Sequence, residues 1–316
     1  MKISLVVPCY NEEKNIQEFY DEVTNLLSTI DCTYEIVLVN DGSKDNTLVM
    51  LQTLSLRDER VKYISFSRNF GKEAGMLAGL TYASGDAVII LDADLQHPPS
   101  LIPQLLEGYN EGFDQVIAKR NRTGDKVVRT AFSKLYYKIM NKFVDIELTD
   151  GVGDFRLLSR KAVNSLLSLQ EYNRFSKGLF SWIGYKTIVI EYENVLRNEG
   201  ESSWSFSSLL NYGIDGVISF NNRPLRMLIY LGLFVMIAGL VYILCTFFQI
   251  TFSHQSTPGY FTTISAILLL GGIQLISLGV IGEYIGRIYY ETKRRPQFII
   301  DETNVEIPML KQVIKK

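Results

Sequence analysis

The sequence is poor in the residues that staple or stiffen a chain, with three cysteines and eight prolines in 316 residues. Cys9, Cys32 and Cys245 show no spacing used for zinc or for a disulfide framework, which points to a reduced, cytosolic setting for the soluble part. Few prolines beside 12% aromatic residues also argue against disorder. Neither sign of charge dominates: 32 basic and 34 acidic residues leave a net charge of −2, so no general attraction to nucleic acid is expected. Both glycine-rich phosphate loops are missing as well. The turn after the first apolar run reads PCYNEE, without G-x-G-x-x-G, and G-x-x-x-x-G-K-[ST] occurs nowhere.

The largest absence is of charge itself. From Met227 to Gly282, 56 consecutive residues include no Asp, Glu, Lys or Arg. All 66 charges therefore fall on the other 260 residues, the one-in-four density of a soluble domain. A wholly soluble enzyme does not fit this block, and a polytopic transporter does not fit the rest. Met227–Phe248 and Tyr260–Gly282 are each long enough to cross the bilayer as a helix, which takes about 20 residues. The short polar stretch between them predicts a tight external loop. Arg223 and Arg226 precede the first span, and Arg287, Lys293, Arg294 and Arg295 follow the second, so the positive-inside rule puts both chain ends in the cytoplasm at the inner or plasma membrane. The opening MKISLVVPCYNEE turns acidic too early for a signal peptide. Upstream of the first span, Phe206, Leu209, Leu210, Gly213, Ile214, Val217 and Ile218 recur at helical spacing; an interfacial amphipathic helix uses that pattern, and so does an ordinary core-facing helix.

In the first 120 residues β-rich runs alternate with helical segments: 3–7, 35–39, 61–65, 87–91 and 114–118, with helices predicted over Asn15–Leu27 and Pro99–Tyr109 among others. The alternation predicts an α/β domain with a mostly parallel, Rossmann-like sheet, whose ligands bind beyond the carboxyl ends of the strands. Polar clusters stand at four consecutive strand ends: Tyr10, Asn11 and Glu12; Asp41, Gly42 and Ser43; Arg68 and Asn69; Asp92, Asp94 and Gln96. The D-x-D of LDADLQHPP suits a Mg2+ or Mn2+ held by one or two carboxylates and substrate phosphates; it equally suits a turn or helix cap before Pro98-Pro99.

Taken in order, PCYNEE, VNDGS, LDADLQHPP and GDFRLL resemble the family 2 glycosyltransferases of GT-A fold. With two C-terminal spans the chain resembles their polyprenyl-phosphate branch, which includes bactoprenol glucosyltransferases, and is similar to dolichyl-phosphate mannose synthases. The resemblance implies a nucleotide-diphosphate sugar donor, preferably a UDP-sugar, a polyprenyl phosphate acceptor such as undecaprenyl phosphate, and a tetrameric homo-oligomer. It assigns Pro8, Tyr10, Glu12, Asp41 and Ser43 to the nucleotide, and Asp92, Asp94 and Gln96 to the metal and donor diphosphate. Asp154 of GDFRLL matches a carboxylate regarded as catalytic in the bactoprenol branch, where mannose synthases carry a non-acidic residue. Catalysis is thus expected of Asp94 and Asp154, with inversion at the anomeric carbon.

An anionic lipid headgroup calls for cations, and Lys119, Arg120, Arg122, Lys126 and Arg129 follow the fifth strand. Arg120 and Arg129 are the candidates for the acceptor phosphate, because guanidinium binds phosphate bidentately; the alternative is a solvated loop beside the membrane. The loop containing Arg197 and Gly200 is a candidate lid over the donor. The expected organisation is a catalytic domain over 1–202, a juxtamembrane helix over 203–226, spans over 227–248 and 260–282, and a cytoplasmic tail over 283–316. Rival readings are a processive polysaccharide synthase, whose Q-x-x-R-W motif is missing, and a catalytically silent membrane-tethered binding protein, against which the retained acidic residues argue.

Overall fold

A computed structural model describes residues 1–121, 152–192, 223–253 and 259–306. The apolar runs form strands β1 (Lys2–Cys9), β2 (Thr33–Asn40), β3 (Val61–Phe66), β4 (Ala87–Ile90) and β5 (Gln115–Arg120). They are followed by β6 (Val152–Ser159), β7 (Thr187–Tyr192) and β8 (Ile300–Thr303). Together they make one eight-stranded sheet in the order β7-β5-β6-β4-β1-β2-β3-β8. The pairs β1–β2, β1–β4, β2–β3 and β5–β7 are parallel, whereas β6 runs antiparallel between β4 and β5, and β8 antiparallel along β3. The mostly parallel α/β sheet expected from the alternation is what the chain forms.

Central strands read as continuous apolar runs because both faces are covered. From β1, Ile3, Leu5 and Val7 enter a core shared with helix α1 (Ile16–Ser28), helix α2 (Thr47–Arg57) and helix α4 (Ile102–Asn110). On the opposite face Val6, with Val88 and Ile90 of β4, packs against helix α3 (Lys72–Tyr82), helix α5 (Arg160–Ser168) and helix α6 (Ser176–Trp182). In α1 the buried positions Ile16, Phe19, Val23 and Leu27 form a single helical stripe. Helix α3 lies unusually close to β1: a Cβ on Gly79 would stand 2.1 Å from Val6 Cγ1. Only glycine permits this approach, and it sets the α3 N-terminus over the rim of strand ends.

Two long helices follow, α7 (Arg223–Ser253) and α8 (Tyr260–Lys293). They contain the expected spans and carry their apolar side chains outward, with Phe234 70% and Leu275 72% exposed. Both are long and apolar enough to cross a membrane, and among the described residues nothing buries these windows. The juxtamembrane segment 203–222 lies outside the described residues; residues 223–226 form the first turn of α7.

The segment expected as a cytoplasmic tail, 283–316, carries regular structure over its described residues. Helix α8 continues to Lys293, after which the chain returns to the catalytic domain and adds β8 to the exposed edge of β3. Phe298 stacks on Phe66 with centroids 5.0 Å apart, and Gln52 Nε2 donates to Glu302 Oε1 at 2.9 Å. The Asn304 side chain accepts from the Tyr63 amide at 2.7 Å and donates to the Val61 carbonyl at 3.1 Å. A four-residue strand with one apolar contact has little periodicity to announce it. It exists because β3 offers unpaired backbone groups that need partners.

At the rim opposite the candidate site, the buried Glu35 carboxylate receives Ser4 Oγ at 2.6 Å, the Ser84 amide at 2.6 Å, and the ammonium groups of Lys62 and Lys2 at 2.6 and 2.8 Å. Burial alone would raise its pKa; the lysines and these donors hold it down at about 2. The folded state therefore favours ionised Glu35. Its stabilisation is fully present above the ordinary value of 4.5 and is lost as pH falls toward 2. Glu35→Gln should lower stability by about 3 kcal/mol near neutrality, the scale for breaking a buried ion pair. It should also flatten the acid limb of the stability profile, as denaturant melts between pH 6 and pH 3 will reveal. Deleting 296–316 should lower the thermal midpoint of the catalytic domain by about 5 °C or more, because the β3 edge is laid bare.

Candidate active site

The loops after β1 and β2 are laced together before any ligand is considered. The Asn11 amide donates to Ser43 Oγ at 3.0 Å, the Lys44 amide to Asn11 Oδ1 at 2.9 Å, and the Glu12 amide to Thr47 Oγ1 at 2.8 Å. Asn11 adopts φ +57°, a left-handed conformation that Asn tolerates better than most residues. Ser43 thus pins the turn, donating its own amide to Asn40 Oδ1 at 3.2 Å. Tyr10, 42% exposed, is left on the outside of this turn. Pro8 is half-buried under α3, whose Gly75 lies directly over it.

Asp41 is buried and accepts from the amides of Phe70 and Gly71, at 2.6 and 2.9 Å. Burial pushes its carboxyl above the usual range, against those two hydrogen bonds and the Arg68 charge. Gly42 beside it has φ +62°, and a Cβ there would stand 2.3 Å from the Arg68 carbonyl carbon. Asp41 and Gly42 together clamp the β3–α3 loop onto the rim and deliver the α3 N-terminus to the site.

That N-terminus carries Lys72, which the sequence reading did not single out. Its ammonium lies 2.7 Å from Asp92 Oδ1 and 2.8 Å from Asp154 Oδ2, bridging residues 62 positions apart in the chain. The register explains the meeting: Ile90 of β4 pairs with Arg156 of β6, and two residues outward on each antiparallel strand stand Asp92 and Asp154. Burial works against the Lys72 charge, yet Asp154 and then Asp92 hold its pKa above the ordinary lysine value. For Asp154 burial alone would favour the neutral acid; Lys72, with Lys177 and Arg156 farther off, keeps its carboxyl below the usual range. Arg156 itself is 2% exposed and sits 3.8 Å from the centroid of the Phe180 ring, so it serves the interior.

Asp94 is arranged differently. The Gln96 amide donates to its Oδ1 at 3.2 Å, and the Gln96 side-chain amide donates to Oδ2. Leu95 between them takes φ +55°, uncommon for a side chain of this size and typical of strain held at functional sites. His97 follows, its Nδ1 2.5 Å from Tyr192 Oη and its Nε2 3.9 Å from Asp92 Oδ2. Burial pushes His97 below its usual pKa, against the attraction of Asp92 and Asp94. Arg120 ends β5 in register with Tyr192 and its charge acts on that phenol, which places Arg120 at the His97 side of the rim. Arg122, Lys126, Arg129, Arg197 and Gly200 lie outside the described residues.

Glu12, Asp92 and Asp94 crowd together: burial first, then the charges of Asp94, Asp92 and Asp45, raise the Glu12 carboxyl. Among the described residues no three His, Cys, Asp or Glu side chains form a closed metal cage. The donor set fits a hard cation bound by one or two carboxylates and completed by substrate oxygens, the manner of Mg2+ or Mn2+. Asp94 accepts only from Gln96 in the described contacts, whereas Asp92 already holds Lys72. Gln96 presents its amide nitrogen to Asp94 and retains one carbonyl oxygen. Of the residues expected here, the fold brings Glu12, Asp92, Asp94, Gln96 and Asp154 into one acidic rim; it gives Ser43, Pro8 and Asp41 structural work beside it.

Comparison with known proteins finds relatives over most of the chain. Residues 4–167 match Glycosyl transferase family 2, and residues 223–288 match the GtrB C-terminal hairpin. The putative glycosyltransferase CsbB of Bacillus subtilis is 56% identical over 96% of this chain and 92% of its own length. The SfII prophage-derived bactoprenol glucosyl transferase of Shigella flexneri is 43% identical over 96% of this chain and 99% of its own. Among solved structures, mannosyl-3-phosphoglycerate synthase from Rubrobacter xylanophilus is similar with a TM-score of 0.49 at 18% identity, over 72% of this chain and 74% of that one. The family match runs from within β1 through β6 and all but the last residue of α5, just over half of the chain, so the chain is a transferase enzyme belonging to glycosyl transferase family 2.

Proposed function

We propose that this enzyme transfers one sugar from a nucleotide-diphosphate sugar, a UDP-sugar in our reading, to a polyprenyl phosphate at the cytoplasmic face of the membrane. The observation that carries the reading is the acidic rim in which Lys72 bridges Asp92 and Asp154 and Gln96 holds Asp94, on a chain that also has two membrane-length apolar helices. A polyprenyl acceptor is confined to the bilayer, and relatives at this identity are named for bactoprenol glucosyl transfer. Both chain ends then face the cytoplasm, as the basic residues flanking the helices require.

In the reaction an acceptor phosphate oxygen attacks the anomeric carbon while the bond to the donor diphosphate breaks, the electron pair leaving with the nucleoside diphosphate and the configuration inverting. A divalent cation held by Asp94, and by Asp92, would supply countercharge for that leaving group, an interaction stronger in the transition state than in the ground state. Tyr10 and Glu12 border the space for the nucleotide, and Asp41 shapes it through the β3–α3 loop. Arg120, with Arg129, is assigned to the acceptor phosphate. Asp154 is held ionised by Lys72 and is therefore a weak proton acceptor. The acceptor phosphate is already anionic near neutral pH, so little proton removal is needed, and the work of Asp154 is to orient the charged groups that meet at the reacting centre.

Asp94→Asn should reduce transfer about 10²-fold or more while leaving the thermal midpoint unchanged, the size of loss seen when one group stabilising transition-state charge is removed. Turnover of labelled donor by the full-length protein in detergent measures this, and undiminished turnover removes Asp94 from the site. Asp154→Asn should lower kcat about 10²-fold with donor KM nearly unchanged, because misplaced charges at the reacting centre cost most in the transition state; a loss confined to donor KM reassigns Asp154 to binding. A panel of UDP- and GDP-sugars with polyprenyl phosphate in the same assay separates the readings: a single-sugar lipid supports this one, a polymer a processive synthase, and no product a binding protein.

A further inference from the structure

Lys72 stands where helix physics disfavours it. It is the first residue of α3, at the end that carries partial positive charge, where a cation is unfavourable and an anion welcome. Glu73, next to it, obeys the rule, yet turns away to accept the Ser176 amide at 3.1 Å together with the Ser176 hydroxyl, anchoring α6. A residue that breaks a local preference needs compensation elsewhere, and Lys72 finds it in two carboxylates from two other elements. Glycine packing of α3 on β1 and the Asp41 clamp hold the α3 N-terminus in place, so the fold brings the backbone of Lys72 within reach of both carboxylates although its side chain is 44% exposed.

Its position is also the position of a competitor. The Lys72 ammonium contacts both oxygens of Asp92, at 2.7 and 2.9 Å, and these are the oxygens a divalent cation would need. The Asp94 carboxylate, in the described contacts, is held only through neutral amide donors of Gln96. A doubly charged ion entering beside Asp94 therefore meets a resident positive charge at Asp92.

We propose that Lys72 is the positioning cation of the transfer site: it holds Asp154 against the rim and occupies the cation position at Asp92, so that a divalent ion must displace it from Asp92 while the Lys72–Asp154 pair persists. The rim is thereby kept assembled between turnovers, and bare metal binds weakly until donor diphosphate oxygens arrive with it. The inference rests on the metal reading of Asp92 and Asp94 above.

The test is Mn2+ binding to the full-length protein in detergent without donor, free Mn2+ being counted by its electron paramagnetic resonance signal. Lys72→Met should bind Mn2+ about tenfold more tightly than the wild type, since a positive charge is removed within a few ångströms of the ion at a partly exposed site. Lys72→Arg should bind like the wild type and keep transfer within about tenfold, whereas Lys72→Met should lose transfer about 10²-fold through misplaced Asp154. A purely structural lysine would give the opposite sign, with metal affinity falling as the rim loosens. Unchanged or weaker Mn2+ binding in Lys72→Met, with an unshifted thermal midpoint, overturns the proposal. Lys72→Gln gives the same charge change should the Met variant unfold. Wild-type Mn2+ binding that survives Asp94→Asn overturns the metal reading instead, and with it the competition.

Discussion

Two carboxylates on adjacent strand ends repel each other, and the ammonium of Lys72 between Asp92 and Asp154 is what allows the rim to close in this form. Much of the catalytic half can be read as the means of keeping those three charges together. The antiparallel insertion of β6 between β4 and β5 brings Asp154 opposite Asp92. Gly79 lets α3 press onto β1, and Asp41 ties the α3 N-terminus to the end of β2. The three charges are partly exposed, with side-chain exposures of 44%, 26% and 16% for Lys72, Asp92 and Asp154, so solvent and ligands reach them. A fully buried trio would resist rearrangement; this one can exchange partners.

The α7–α8 pair is linked to the catalytic domain at more than the chain connection. Near the end of α8, Glu291 accepts the Tyr172 amide at 2.7 Å, and Tyr290 stacks on Tyr172 at 5.4 Å. The Gln297 side chain donates to the Glu171 carbonyl, and β8 then completes the sheet. Segment 171–174 leads directly into α6, whose first residue is held by Glu73, the neighbour of Lys72. The two apolar helices are long enough to cross a membrane, and these contacts tie the end of α8 to the catalytic domain beside the acidic rim.

Much of this was legible in the residues. Continuous apolar runs announced strands covered on both faces, and the uncharged block announced two membrane-length helices, because hydrophobic burial and the cost of burying charge act on local composition. PCYNEE and LDADLQHPP named strand ends whose residues do converge. Lys72 was not legible, since a lysine after NFG reads as a solvated helix start until its partners are seen. The meeting of His97 and Tyr192, 2.5 Å apart, was equally hidden, for His97 belongs to the LDADLQHPP run but nothing local pairs it with a tyrosine 95 residues on. Strand β8 escaped notice for a similar reason: its partner is some 240 residues away, and only the open edge of β3 gives four residues cause to extend.

By itself, then, the amino-acid order determined the first five strands, the helices between them, the two membrane-length helices and the polar residues at those strand ends, because these follow from the chemistry of neighbours within a few positions. Tertiary structure decided which of those polar residues serve the site and which serve the scaffold. Ser43 and Asp41 spend their hydrogen bonds on loop geometry, whereas Asp92 and Asp154 share one lysine. The reason is electrostatic: a carboxylate's partner, and hence its charge and use, is set by what the fold brings within about 3 Å of it, and sequence separation carries no trace of that distance.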